Sequence, residues 1–223
     1  MKETTVRLPT ATPQGLHEFV AASVLARYAR SGAQSADLGA GPGAMSQRLG
    51  ELGCAVVAVD RDPDVYKGAL PFVTLDFNEP GFAAQLGIAK FELVVAIEVI
   101  EHVESPIGFL RNIGQLLAPA GVAVITTPNV DSLPARMKFL LAGKIRTMDE
   151  QSDATHISPI FSDLLRRQLL PRAGLKMKEH FVFPVNGFQL TRKPIARALQ
   201  MAAMLFPGDA LVGDHHIFVL EVA

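Results

Sequence analysis

Short apolar runs of strand length alternate with segments of helical period along most of the chain, and no other feature limits its fold so sharply. A run that is apolar on both faces suits a strand buried on both sides, which is what a parallel sheet covered by helices requires. Residues 35–39, 55–60, 72–76, 91–97 and 121–127 are read as strands of this kind. Between the first two, Met45, Leu49 and Leu52 share one helical face, and Gly53 is a suitable residue to follow the helix end. Ser105 as N-cap and Pro106 at the first helical position start a helix carrying Ile107, Leu110, Ile113 and Leu117, which Pro119 is expected to stop. The connection 61–71 contains Pro63 and Gly68, so any helix there is short. Past Asn129 the pattern predicts a helix over 131–141, a polar irregular segment 143–158, and a helix over 162–170. A turn at Gly174, a strand over 175–183, a helix over 195–206 and a strand over 217–222 follow.

A chain of 223 residues with 49% hydrophobic and 19% charged residues is globular and long enough for a sizeable core. Its 21 Lys+Arg against 22 Asp+Glu leave a net charge of -1, without the basic excess of a generic nucleic-acid binder, so nucleic acid is not an expected partner. The single cysteine, Cys54, lies in an apolar run and is read as a small buried hydrophobe. The polar stretch from Met1 to Thr12 has no apolar signal-peptide core. The apolar stretch 198–207 is about half the roughly 20 residues of a membrane span, so a cytoplasmic protein is expected. Arg192, Lys193 and Arg197 precede or interrupt that stretch, a pattern open to two readings: a core-facing helix, or peripheral contact with a membrane or a lipid-linked acceptor.

Four strand ends carry chemistry. The turn Asp37-Leu38-Gly39-Ala40-Gly41-Pro42-Gly43 follows the first strand and, read as Gly39, Gly41 and Ala44, satisfies a relaxed dinucleotide fingerprint. Asp37 argues against a dinucleotide, because a carboxylate there opposes a pyrophosphate but attracts an ammonium or a sulfonium. Asp60 ends the second strand 21 positions after Gly39 (39 to 60), where an acid can accept both hydroxyls of an adenosine ribose, with Arg61 beside it. Asp76 and Phe77 put a carboxylate and a ring at the third strand tip, suited to an adenine. After the fourth strand, Glu98-Val99-Ile100-Glu101-His102-Val103 faces the crevice between strands one and four, and His102 as a neutral imidazole can take a proton from an attacking hydroxyl.

Together with Thr126-Thr127-Pro128-Asn129, these segments resemble the class I S-adenosylmethionine-dependent methyltransferases, closest to the branch holding ubiquinone-biosynthesis O-methyltransferases and enzymes of polysaccharide clusters. The resemblance covers roughly residues 35 to 175. It implies that Asp37, Gly39, Ala40, Gly41 and Gly43 hold the methionine moiety of S-adenosyl-L-methionine, Asp60 the ribose, with Arg61 beside it as a further cofactor-binding residue, and that Asp76 and Phe77 border the adenine. Glu98 and Val103 then line the sulfonium side. It also implies a Rossmann-like doubly wound α/β sheet of seven strands in order 3-2-1-4-5-7-6, the last antiparallel. One domain is expected over 1–223: a helical cap (1–34), the cofactor core (35–130), acceptor-side helices and lid (131–174), and C-terminal strands and helix (175–223).

The chain departs from the family in its short connection after Asp60, in Ala118-Pro119-Ala120-Gly121, and at Pro171, which is expected to interrupt a helix. The segments Thr155-His156-Ile157-Ser158-Pro159 and Arg136 to Gly143 resemble the polysaccharide-associated members, and His156 is the second candidate catalytic residue. His17 is a weaker candidate to cover the cofactor. His215 and His216 alternate faces in a strand and make a poor chelate, so no metal is expected. The reading is methyl transfer to an oxygen of a small-molecule or glycan acceptor. The alternatives are a nicotinamide-dependent oxidoreductase and a non-catalytic cofactor-binding protein.

Overall fold

Strands β1 (Gln34–Leu38), β2 (Ala55–Asp60), β3 (Phe72–Thr74), β4 (Phe91–Ala96), β5 (Leu117–Pro128), β6 (Leu175–Phe183) and β7 (His215–Val222) form one sheet in the order β3-β2-β1-β4-β5-β7-β6. This computed structural model describes residues 7–10, 12–189, 191, 193–203 and 211–223. The first five strands pair in parallel, and β7 runs antiparallel to both β5 and β6. The sheet expected from the resemblance is the one observed.

Its two faces carry two cores, and strand alternation sorts the side chains between them. In β4, Val94 and Ala96 join a cluster with Leu38, Ile125 and Phe218. Leu93 and Val95 point the other way, to Met45, Leu49, Val124 and Val219. The first cluster is closed by α3 (Ala83–Leu86) and α4 (Pro106–Leu116), whose Phe109, Leu110 and Ile113 are fully buried. Burying one such side chain contributes about 1.5–3 kcal/mol. The second is closed by α2 (Ala44–Glu51) and by an N-terminal helical stretch, α1 (Leu16–Phe19), which continues as a wide turn (Val20–Val24) and a tight one (Leu25–Arg27).

Ser105 caps α4 as expected, its hydroxyl accepting from the Gly108 N–H at 3.1 Å. The end of that helix differs from the reading: Leu117 is already extended and pairs with Phe91 in β5, so the helix stops before Pro119 is reached. The Ala118–Gly121 stretch forms an irregularity at the start of β5, with Ala120 at φ 63°. Pro171 does not break its helix either. The helical path runs through α6 (Ser162–Leu164), a wide turn (Leu165–Leu169) and α7 (Leu170–Arg172). One extra residue per turn just before the proline relieves the clash its ring would otherwise make with the preceding turn.

Two helices flank the later strands: α5 (Leu133–Ala142), capped by Ser132, and α8 (Lys193–Ala203). The segment 143–158 between α5 and α6 contains only turns, as its polar composition indicated. Arg192 and residues 204–207 of the apolar stretch lie outside the described residues. No helix among the described residues is long and apolar enough to cross a membrane.

Candidate active site

The carboxyl ends of β1, β2 and β4 converge on two adjoining cavities, of about 450 and 260 Å³, which share Gly39, Glu98 and His102 as lining. Ligands of open doubly wound sheets bind at this end. Asp37, Ala40 and Gly41 line the larger cavity, and Asp60, Arg61, Asp76, Phe77 and Val103 line the smaller. Gly43 lines neither. It caps α2 at φ 97° and faces Tyr66, where an added Cβ would come within 2.8 Å of the ring.

Gly39 is the residue that the turn cannot replace. Its φ is 75°, and a Cβ there would lie 2.4 Å from Val99 Cγ2, so the residue whose N–H turns back to the sheet here has no room for a side chain. That N–H and the N–H of Ala40 both donate to the Val59 carbonyl, tying the turn to β2. Asp60 reinforces the tie by accepting from the Gly41 N–H at 2.8 Å. Its other oxygen accepts from the Asp62 N–H at 3.2 Å, which leaves one further lone pair on each oxygen for hydroxyls. Asp37 is buried and accepts from the Ser46 hydroxyl at 2.6 Å. Burial pushes its carboxyl up to about 6, with the Ser46 bond opposing the rise. At the third tip, Asp76 accepts from the Asn78 N–H at 2.9 Å, and Phe77 packs edge-on against Phe109 and tilted against Phe82 while bordering the smaller cavity.

Glu98 sits at φ 55°, a rare conformation for a residue with a side chain. Thr126 on β5 holds it there, accepting from the Glu98 N–H at 2.9 Å and donating back to its Oε1 at 2.8 Å. Its other oxygen lies 2.9 Å from Nδ1 of His215, an ion-pair contact without the alignment of a good hydrogen bond. Burial would raise the Glu98 pKa, but His215 and Thr126 outweigh it and hold the group below its ordinary value. His215 titrates above its ordinary value because the Glu98 charge overcomes the cost of burial. The two histidines of β7 do point apart: His216 faces away, against His180 and Asp131.

Three histidines remain, and their surroundings fix which nitrogens are free. His102 Nδ1 is 2.8 Å from the Thr155 hydroxyl and 3.2 Å from the Thr155 carbonyl. That hydroxyl donates to Asp153, so Nδ1 carries the proton and Nε2 is bare. Burial, then the neighbouring His156, hold its pKa below the usual value, which keeps it neutral. His156 Nδ1 is 2.7 Å from the Thr147 carbonyl, and its ring meets that of His102 edge-on at 4.7 Å. His17, from α1, is buried in the wall of the larger cavity, its pKa lowered to about 4 by burial and by Arg48. Beneath them, burial and then Glu98 push the Glu101 carboxyl well above its ordinary range, and its oxygens have no hydrogen-bond partner among the described residues. Among the described residues, Glu101, His102 and His156 each bring one donor atom within 4.8 Å of the others.

Several of these contributors are not marked by any motif. His215 and Ser46 act through contacts that only the fold creates, the Thr126-Thr127-Pro128-Asn129 segment did not announce that Thr126 would hold Glu98, and the alternation of β7 was the one available sign that His215 and His216 would face opposite ways.

A family model described as "Methyltransferase domain" matches residues 15–180, most of the chain. The chain belongs to the class I S-adenosylmethionine-dependent methyltransferases. Its methyltransferase domain is 36% identical over 126 residues to a ubiquinone biosynthesis O-methyltransferase of Caulobacter vibrioides, an alignment covering 50% of each chain. It is 34% identical over 129 residues to the protein so described in Xanthomonas campestris, covering 54% of this chain and 52% of the other. The chain thus spans about half the length of the curated relatives it matches. Its fold is that of a SAM-dependent methyltransferase from Archaeoglobus fulgidus, with a TM-score of 0.66 and 17% identity over 92% of this chain and 93% of that one. A phosphoethanolamine N-methyltransferase 2 of Haemonchus contortus, solved with S-adenosyl-L-methionine, superposes with a TM-score of 0.59 and 14% identity, over 96% of this chain and 54% of that one. This methyltransferase domain therefore shares its architecture with proteins whose sequences have diverged almost completely.

Proposed function

We propose that this chain transfers a methyl group from S-adenosyl-L-methionine to an oxygen of a small-molecule or sugar-containing acceptor. The observation that carries the reading is the pair of cavities joined at Gly39, Glu98 and His102. The smaller offers a ribose acceptor in Asp60 and an aromatic border in Phe77, as a nucleoside needs. The larger offers a buried carboxylate in Asp37 beside a glycine cradle, as a cationic amino-acid tail needs, and leaves room for an acceptor under His102 and His156. The cofactor, when bound, supplies an activated methyl group on a positively charged sulfur.

The residues of the chain would then bind, orient and deprotonate. Asp37 attracts the ammonium, Asp60 accepts from the ribose, and Glu98, neutralised by His215, keeps the wall between the cavities rigid. His102, whose ring lines both cavities and whose Nε2 is bare, takes the proton that a hydroxyl loses as it is methylated; such a base contributes about 10²–10⁴-fold. The relatives described as O-methyltransferases favour an oxygen acceptor, and the polar segment 143–158, which lends Thr147, Gln151 and Ser152 to the larger cavity, favours a hydroxylated one. A cytoplasmic setting and acceptor-side duty for residues 131–174 belong to the same reading.

Calorimetry with S-adenosylmethionine, S-adenosylhomocysteine and the nicotinamide dinucleotides tests it. The adenosyl-sulfur compounds should bind and the dinucleotides should not; the reverse would establish the oxidoreductase reading instead. Asp60→Ala should weaken S-adenosylhomocysteine by about 5- to 150-fold, since groups left unpaired cost about 1–3 kcal/mol. Unchanged affinity in a folded variant would remove Asp60 from the site. Asp37 adds a pH signature. Its carboxyl, pushed up to about 6, must be ionised to attract the ammonium. Affinity should therefore be flat above neutrality and fall below that value, by up to roughly tenfold per pH unit. Asp37→Asn should abolish the slope, and a slope that survives would assign it to another group.

A further inference from the structure

We propose that Arg146 is a positioning residue for His156: through its buried ion pair with Asp214 it fixes the Thr147 carbonyl that decides which imidazole nitrogen of His156 carries the proton. The inference rests on the reading of the larger cavity as the acceptor side, because the bare nitrogen matters only if chemistry happens there.

The anchor is rigid and lies outside the site. Asp214 directly precedes β7, donates its N–H to the Phe183 carbonyl at 2.7 Å, and accepts at its own carbonyl from the Asn129 N–H at 2.7 Å. It thus joins the ends of β5 and β6. Its side chain is 1% exposed and accepts from the Gln189 N–H and from Arg146 Nη1, the latter at 2.9 Å. The Arg146 side chain, 12% exposed, also donates from Nη2 to the Thr191 hydroxyl at 3.2 Å. An arginine fork held by two elements at once allows little rotation.

The next residue, Thr147, has φ 69°, a conformation rare for a residue branched at Cβ. Such a conformation persists only where its surroundings enforce it; here the Arg146 clamp acts together with the Met148 N–H, which donates to the Ile145 carbonyl at 3.2 Å, and with the Thr147 hydroxyl, which donates to the Arg146 carbonyl. In this pose the Thr147 carbonyl meets His156 Nδ1 at 2.7 Å. A carbonyl only accepts, so Nδ1 carries the hydrogen and Nε2 is left bare in a ring that lines the larger cavity beside His102. Released from the clamp, Thr147 would relax toward negative φ and turn its carbonyl away. The His156 backbone would not follow, because its own N–H donates to the Asp153 carbonyl at 3.1 Å and the next N–H to the Glu101 carbonyl at 3.0 Å. The ring would stay in the cavity wall with its tautomer unspecified.

The test is ¹⁵N NMR of the histidine side chains, alkaline of neutrality, in the free chain. Wild type should give His156 protonated at Nδ1 and bare at Nε2. Arg146→Met should move the major population to the Nε2-protonated form, and adding Thr147→Gly, which adopts positive φ without strain, should restore the wild-type signature at least in part. If Arg146→Met does not fold, Arg146→Gln is read in its place with the same expectation. An unchanged His156 tautomer in the folded single variant, or no restoration in the double variant, would overturn the proposal. Affinity for S-adenosylhomocysteine by calorimetry should be the same in Arg146→Met and wild type; a loss in the variant would give Arg146 a general structural role and also overturn it. If neither protein binds S-adenosylhomocysteine, the functional reading fails while the tautomer result stands by itself. With an acceptor in hand, Arg146→Met should lower kcat about 10- to 100-fold at unchanged cofactor KM, the size of a misplaced catalytic group.

Discussion

His102→Ala is expected to slow methyl transfer by about 10²–10⁴-fold while leaving S-adenosylmethionine affinity nearly unchanged. The expectation follows from the position of the ring: half-buried, neutral because burial and His156 lower its pKa, held by Thr155 at Nδ1 so that Nε2 is bare, and lining both cavities. Cofactor affinity is spared because the acids and the glycine turn that hold it lie on other strand ends. Activity should recover partly at high pH, where an acceptor hydroxyl ionises without help. Measured kcat and KM for the variant and wild type check this, and wild-type turnover would return His102 to a packing role and transfer the base to His156.

Gly39→Ala should have the other large effect, on binding instead of chemistry. The added methyl would sit 2.4 Å from Val99 Cγ2, and alanine at φ 75° is itself disfavoured. Overpacking costs about 1–3 kcal/mol, and a left-handed conformation about 1–2 more. The chain has two ways to relieve this: moving the turn between β1 and α2, or moving Val99 and with it Glu98. Both displace residues shared by the two cavities. Affinity for S-adenosylhomocysteine is expected to fall by roughly 30- to 1000-fold, the equivalent of about 2–4 kcal/mol, in a protein that keeps its circular dichroism spectrum. Affinity within a few-fold of wild type would mean that the turn does not cradle the cofactor. Gly43→Ala at the neighbouring position tests the distinction, since its strain falls on Tyr66, outside both cavities.

How much of this was legible in the sequence follows from where the information resides. A parallel sheet buried on both faces leaves unbroken apolar runs, so the strands were readable, and β2 and β6 were read to the residue. That Asp37, Asp60 and Glu98 would border the crevice was readable because the ends of β1, β2 and β4 must converge in such a sheet. The antiparallel β7 and the sheet order came from resemblance and not from spacing. Two prolines misled because their effect depends on neighbours. Pro119 comes two residues after Leu117, which is already committed to β5 by pairing with Phe91 of β4, and Pro171 sits just past a widened turn that no local propensity announces. The hidden part of the site consists of contacts that only the fold makes: Glu98 with His215 and Arg146 with Asp214 from distant segments, Ser46 with Asp37 and Thr147 with His156 across nine residues. Each is a contact between segments whose separation in sequence carries no periodic signal.

A crystal structure of the chain with S-adenosylhomocysteine tests the central claim most directly. The account predicts adenine in the smaller cavity beside Phe77, the ribose hydroxyls on Asp60, the homocysteine ammonium near Asp37, and the sulfur where the cavities meet, with His102 Nε2 facing the space an acceptor would occupy. A ligand bound elsewhere, or one whose ribose avoids Asp60 and whose amino-acid tail avoids Asp37, would contradict it.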